Sequence, residues 1–157
     1  MTPTESVWDY PRPPALVPSE EHVRVVHAGV VVADTRRSWR ILETAHAPAY
    51  YIPAADVRTD LLTESATRTV CEFKGVARYA DLHAPGAPVV RDACWWYPTP
   101  VGAYADLAGA RCFYPQRVDL CEVDGERVVP IASPFYGDWP TSRITGPYKG
   151  EPGTEWW

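Results

Sequence analysis

The amino-acid sequence predicts a mainly β fold built from antiparallel sheet. Three observations predict it: short runs of β-branched and aromatic residues cut by proline and glycine, two dipeptides with hairpin chemistry, and no alternation of strands with helix-length patterns. With 17 Pro and 10 Gly in 157 residues, turn formers are frequent enough to keep every run short.

Residues 1–21 read as an arm. Trp8-Asp9-Tyr10-Pro11-Arg12-Pro13-Pro14 cannot continue a helix or a central strand, because proline lacks a donor and fixes φ. Val23-Arg24-Val25-Val26 and Val30-Val31-Val32 then flank Ala28-Gly29 and predict a hairpin. Residues 39–44 and 50–52 predict further short strands. A brief helix is expected after Pro53, with Val57, Leu61 and Leu62 on one face.

Residues 69–73, 76–79 and 93–97 are rich in β formers, and a second short helix is expected from Gly102 to Gly109. Residues 111–114 and 118–123 follow. Asp124-Gly125, between Leu120-Cys121-Glu122-Val123 and Glu126-Arg127-Val128-Val129, is a two-residue hairpin loop that needs positive φ. The total is about nine short strands with one or two short helices. Residues 22–130 are the expected domain, and residues 131–157 a second Pro/Gly/aromatic arm packed on it.

Length fits one domain with one core. The net charge is −5 and the 15 Lys+Arg are scattered, so there is no basic stripe to capture a phosphate backbone and no nucleic-acid partner is expected. No apolar run reaches membrane-spanning length, and the proline-rich, acidic N-terminus lacks the basic start and apolar stretch of a signal peptide. A cytoplasmic location is expected, and no membrane contact. In that reducing compartment Cys71, Cys94, Cys112 and Cys121 are expected to be free, mostly buried thiols.

Motifs that carry their own mechanism are missing: there is no Gly-rich phosphate loop, Gly-x-Ser-x-Gly elbow or His-Glu-x-x-His helix. The cysteines and His22, His27, His46 and His83 make no metal-type spacing, so neither metal nor cofactor is expected. What remains is a set of polar and aromatic residues on the expected strands. Arg40 and Glu43 bracket Ile41-Leu42, and strand alternation sends them to opposite faces; either is an ion-pair or surface residue, or a buried charge set against a ligand. In Cys71-Glu72-Phe73-Lys74-Gly75 the same alternation separates the Cys71 sulfur from Lys74, which places Cys71 in the core and makes Lys74 the sharper ligand candidate.

Tyr50, Tyr51, Tyr79, Trp95, Trp96, Tyr97, Phe113 and Tyr114 supply stacking faces with hydroxyl and indole donors for one concavity. Alternation assigns about half of them to core packing. Trp95 and Tyr97 share a face; Trp96 takes the other.

Val32-Ala33-Asp34-Thr35, Leu42-Glu43-Thr44, Tyr50-Tyr51-Ile52-Pro53, Asp56-Val57, Thr69-Val70-Cys71-Glu72-Phe73-Lys74-Gly75-Val76-Ala77-Arg78-Tyr79, Trp95-Trp96-Tyr97-Pro98-Thr99-Pro100 and Cys112-Phe113-Tyr114 resemble, in order across residues 22–130, the family known as domain of unknown function 427. Glu5-Ser6-Val7-Trp8-Asp9-Tyr10-Pro11, Phe135-Tyr136-Gly137, Thr141-Ser142-Arg143-Ile144 and Gly146-Pro147-Tyr148-Lys149-Gly150 resemble the arms of a longer bacterial subgroup. Where many relatives carry Cys-Pro, this chain has Cys71-Glu72. The resemblance implies a β-tent-like pair of antiparallel sheets with a usable gap between them. It also carries a nucleotidyltransferase-like label, which finds no support in a chain with no Gly-Ser pair.

The expected function is therefore small-molecule binding in an aromatic-lined pocket, with Arg40, Glu43, Tyr51, Lys74, Tyr79, Trp95 and Tyr97 holding a polar or anionic ligand. Two alternatives stand beside it. One is an enzyme with Cys71, Lys74 or Glu43 as a reactive group; the other is an interaction module whose arms embrace a second protomer as a homodimer.

Overall fold

A computed structural model describes residues 3–149 and Thr154; the remainder of the second arm, including Gly150, lies outside the described residues. Thirteen strands occur among the described residues: β1 (Glu5–Ser6), β2 (Ala15–Pro18), β3 (Val23–His27), β4 (Val30–Thr35), β5 (Trp39–Leu42), β6 (Ala49–Tyr51), β7 (Leu62–Cys71), β8 (Gly75–Leu82), β9 (Val90–Trp96), β10 (Cys112–Phe113), β11 (Leu120–Val123), β12 (Glu126–Arg127) and β13 (Ile144–Thr145). The expected mainly β class holds. Among the described residues helical structure is confined to 3-10 turns at Val7–Asp9, Ala54–Asp56, Thr59–Leu61 and Gly102–Leu107.

The hairpin signals behave as their chemistry dictates. Ala28 and Gly29 at φ 51° and 76° join β3 to β4, and Asp124 and Gly125 at φ 49° and 81° join β11 to β12. The expected helix carrying Val57, Leu61 and Leu62 on one face does not form. Val57 is extended (φ −118°, ψ 140°) and bridges to Ala33, and the Arg58 N–H donates to the Val32 carbonyl at 2.7 Å. The edge of β4 offers the segment hydrogen bonds that a one-turn helix cannot match, and Leu62 begins β7 instead.

Two four-stranded antiparallel sheets, ordered β12-β11-β3-β4 and β10-β9-β8-β7, enclose the first core. Val23, Val25 and Val32 from one sheet meet Leu82, Cys94, Trp96 and Phe113 from the other. The opposite face of the β7–β10 sheet carries Ala77, Tyr79, Trp95 and Tyr97, which pack on Ile41, Ala49 and Tyr51 of the three-stranded sheet β2-β5-β6. Alternation along β9 thus feeds two cores: Trp95 enters the second, while Trp96 enters the first beneath the Arg111 guanidinium, 4.2 Å from the ring centroid.

The arms pack onto this frame. β1 pairs in parallel with β13, and Val7, Tyr10, Ala47 and Ile144 form a third small cluster. Trp139 is fully buried in the first core, stacks against Tyr50 at 5.5 Å, and donates its indole N–H to the Phe113 carbonyl at 2.9 Å. Among the described residues no helix is long and apolar enough to cross a membrane.

Candidate functional site

A cavity of about 220 Å³ opens where the second core meets the C-terminal arm. Its aromatic wall is Tyr51, Tyr79, Trp95, Tyr97 and Tyr114, and its polar groups include Glu43, His46, Cys71, Lys74 and Asp138. Each side chain arrives by a definable route.

Tyr51 comes from β6 and Trp95 from β9; they meet edge to face with centroids 6.0 Å apart. The Trp95 indole N–H donates to the Tyr51 hydroxyl at 2.9 Å, which fixes both rings. Tyr97 lies 6.2 Å from Tyr51, and Tyr114 lies 4.7 Å from Trp95. Tyr79 on β8 is tied to Thr69 of β7 by a 3.0 Å hydroxyl–hydroxyl hydrogen bond. Burial first of all pushes the phenols of Tyr51, Tyr97 and Tyr114 well above the usual tyrosine range, so the rings act as neutral walls and hydrogen-bonding groups.

Lys74 reaches the cavity through a turn. Cys71 pairs with Gly75 across the β7–β8 hairpin, leaving Glu72, Phe73 and Lys74 as a three-residue loop. Gly75 at φ 110° permits the reversal, and the Val101 N–H donates to the Lys74 carbonyl at 3.0 Å. The separation of Cys71 and Lys74 expected from strand alternation is therefore corrected: both line the cavity, because the pleat ends at Cys71 and the loop folds Lys74 back. Cys71 sits half-buried on the cavity wall, whereas Cys94, Cys112 and Cys121 are buried in the cores, and all four are free thiols.

Lys74 as a residue is only 7% exposed. Its one recorded partner among the described residues is the Tyr97 ring, whose centroid lies 5.8 Å from Nζ; no hydrogen bond or ion pair accompanies it. Buried lysines are ordinarily paired.

Of the sequence-derived candidates, Glu43, Tyr51, Lys74, Tyr79, Trp95 and Tyr97 converge on the cavity, and Arg40 does not. Alternation on β5 sends Ile41 to the cavity and Arg40 to the arm side. There Arg40 Nη2 donates to Glu5 Oε1 at 2.8 Å, while Arg143 bridges Glu5 and Glu21 with two 2.8 Å contacts. Arg40 thus ties the N-terminal arm to β5, and Arg143 joins the C-terminal arm to the same Glu5. Tyr50, Trp96 and Phe113, from the aromatic set, belong to the first core.

Sequence reasoning missed His46, Asp138 and the Phe135-Tyr136-Gly137 segment as site residues. His46 Nδ1 lies 3.6 Å from Asp138 Oδ2, and His46 Nε2 lies 4.0 Å from Glu43 Oε2. Gly137 lies against the rings so closely that an added Cβ would stand 2.7 Å from Tyr114 Cδ1 and 2.9 Å from Trp95 Cζ3. A glycine between aromatics is the one local signal of that close approach; no pattern marks Asp138. Among the described residues no group of three His, Cys, Asp or Glu side chains is arranged to hold a metal ion.

Fold and site together define a class: a mainly β domain with several antiparallel sheets and a buried aromatic cluster compatible with a binding site. Residues 15–124 match the family described as Domain of unknown function (DUF427), and the chain belongs to it. No curated protein matches the chain. Phe135, Tyr136, Gly137 and Asp138 lie outside the matched residues, so this cavity combines the family region with wall residues from the C-terminal arm.

Proposed function

We propose that this protein binds a small molecule in the cavity between the β5–β6 and β7–β9 segments, with an anionic or polar group of the ligand held on Lys74. The observation that carries the reading is a lysine only 7% exposed as a residue, on the aromatic wall of the cavity, with no hydrogen bond or ion pair among the described residues. An incoming acid group would give that ammonium the charged hydrogen-bond partner its protein surroundings do not supply. Neutral phenols and an indole around it give shape and stacking without competing charge.

A thermal-shift screen of small carboxylates and phosphates against the wild type and Lys74→Met tests it. Stabilisation of the wild type that disappears in Lys74→Met supports the reading. Equal stabilisation of both proteins removes Lys74 from the site.

A second reading is favoured by Cys71, the one cysteine on the cavity wall and the one not fully buried. In it, Cys71 is a reactive thiol beside Lys74. Iodoacetamide labelling of the native protein against pH decides it: a thiol that stays inert, or labels only above about pH 8.5, removes this reading.

A further inference from the structure

Four rings of the cavity touch in succession. Tyr97 neighbours Tyr51 at 6.2 Å, Tyr51 neighbours Trp95 at 6.0 Å, and Trp95 neighbours Tyr114 at 4.7 Å. Lys74 stands at the Tyr97 end. At the other end Gly137 packs on Trp95 and Tyr114, which places the next residue, Asp138, at the cavity wall there.

Asp138 is the mirror image of Lys74. Its Oδ2 atom is buried and accepts no hydrogen bond among the described residues, and the nearest basic atom is His46 Nδ1 at 3.6 Å. Buried carboxylate oxygens ordinarily have a donor. Glu43, on the far side of His46, differs: the exposed Arg12 guanidinium stands 3.6 Å from it and partly offsets its charge. The cavity lining therefore holds an ammonium group beside Tyr97, and, beside Trp95 and Tyr114, a carboxylate whose buried oxygen has only His46 within ion-pair distance.

We infer that the ligand is a zwitterion, with an acid group on Lys74, an aromatic or apolar spacer along Trp95 and Tyr51, and a protonated amine on Asp138. This rests on the cavity being the binding site proposed above. A simple anion would leave Asp138 with only the 3.6 Å contact to His46, and a second acid group at that end would meet like charge. A simple amine would leave Lys74 unpaired. At about 220 Å³ the cavity exceeds the roughly 150 Å³ that admits a benzene ring, leaving space for a substituent at each end of one ring.

The test compares three probes of one shape: para-aminomethylbenzoate, para-methylbenzoate and para-methylbenzylamine. Dissociation constants come from NMR titration of the full chain. The zwitterion is expected to bind at least about tenfold more tightly than either single-charge probe. Asp138→Asn is expected to bring its affinity down to that of para-methylbenzoate, and Lys74→Met down to that of para-methylbenzylamine.

If para-methylbenzoate binds as tightly as the zwitterion, and Lys74→Met abolishes that binding, the zwitterion is overturned while anion binding on Lys74 stands. If para-methylbenzoate binds and the zwitterion does not, only the zwitterion falls; if neither binds the wild type, or both bind Lys74→Met equally well, both readings fall. The three-probe comparison on the wild type needs no variant, so a loss of stability in either substitution does not obscure it.

Discussion

The indole nitrogen of Trp95 donates a 2.9 Å hydrogen bond to the hydroxyl of Tyr51, joining β9 to β6 across the wall of the cavity. Both side chains are buried, which leaves few alternative partners for either group. Removing the acceptor leaves the indole N–H unsatisfied. Tyr51→Phe is expected to lower the unfolding free energy by about 1–3 kcal/mol. Urea denaturation followed by tryptophan fluorescence measures it, and an unchanged midpoint would show that the bond has no net worth.

Gly137 is a close-approach glycine, since a Cβ there would meet Tyr114 and Trp95 at 2.7 and 2.9 Å. Gly137→Ala forces a ring or the arm to move. The expected loss is about 1–3 kcal/mol of stability together with weaker ligand binding, because the displaced wall belongs to the cavity. A variant as stable as the wild type, with unaltered affinity, would contradict this packing.

Arg40 and Lys74 are both buried cations, but their environments differ. Arg40 is 5% exposed and paired with Glu5, which Arg143 also contacts. Arg40→Met is expected to cost up to about 3 kcal/mol, since it strips Glu5 of one partner while leaving Arg143 in place. Ligand affinity should change little. Chemical denaturation gives the first quantity and NMR titration the second; a larger effect on affinity than on stability would return Arg40 to the binding site.

Glu5 sets an acid limit on the N-terminal arm. Burial alone would raise its pKa, but hydrogen bonds from Arg40 and Tyr10 and the charges of Arg40 and Arg143 outweigh burial and bring it from 4.5 to about 2. A carboxylate whose folded pKa lies below its unfolded value contributes stability that is present above pH 4.5 and lost as pH falls from there towards 2. The stability of the wild type should therefore decline through that window, and Glu5→Gln should flatten the decline. Parallel pH profiles for the two proteins would exclude Glu5 as the titrating group.

Thiol reactivity should single out Cys71. Burial pushes the Cys94 thiol up to about 12 and raises Cys112 and Cys121 as well, whereas Cys71 lies on the cavity wall. Brief treatment of the native protein with iodoacetamide should label Cys71 alone, and treatment in guanidinium all four cysteines; peptide mass mapping reads the sites. Native labelling of a core cysteine would mean that the sheets open more readily than their packing implies.

Much of this protein was legible residue by residue. Ala28-Gly29 and Asp124-Gly125 specified their hairpins because a two-residue reversal depends only on local dihedral angles. Period-two alternation separated Trp95 from Trp96, and Arg40 from Glu43, because the pleat is local too. Tertiary structure alone decided the rest. Lys74 shares the cavity with Cys71 because the strand stops at Cys71 and a loop anchored by Val101 carries the chain round. Arg40 is paired because Glu5 and Arg143, 138 residues apart in sequence, close around it. Asp138 reaches the cavity because Gly137 lets the C-terminal arm lie on Trp95 and Tyr114. Periodicity reports only which face of a strand a side chain takes; what covers that face depends on contacts between distant segments that leave no repeating mark in the sequence.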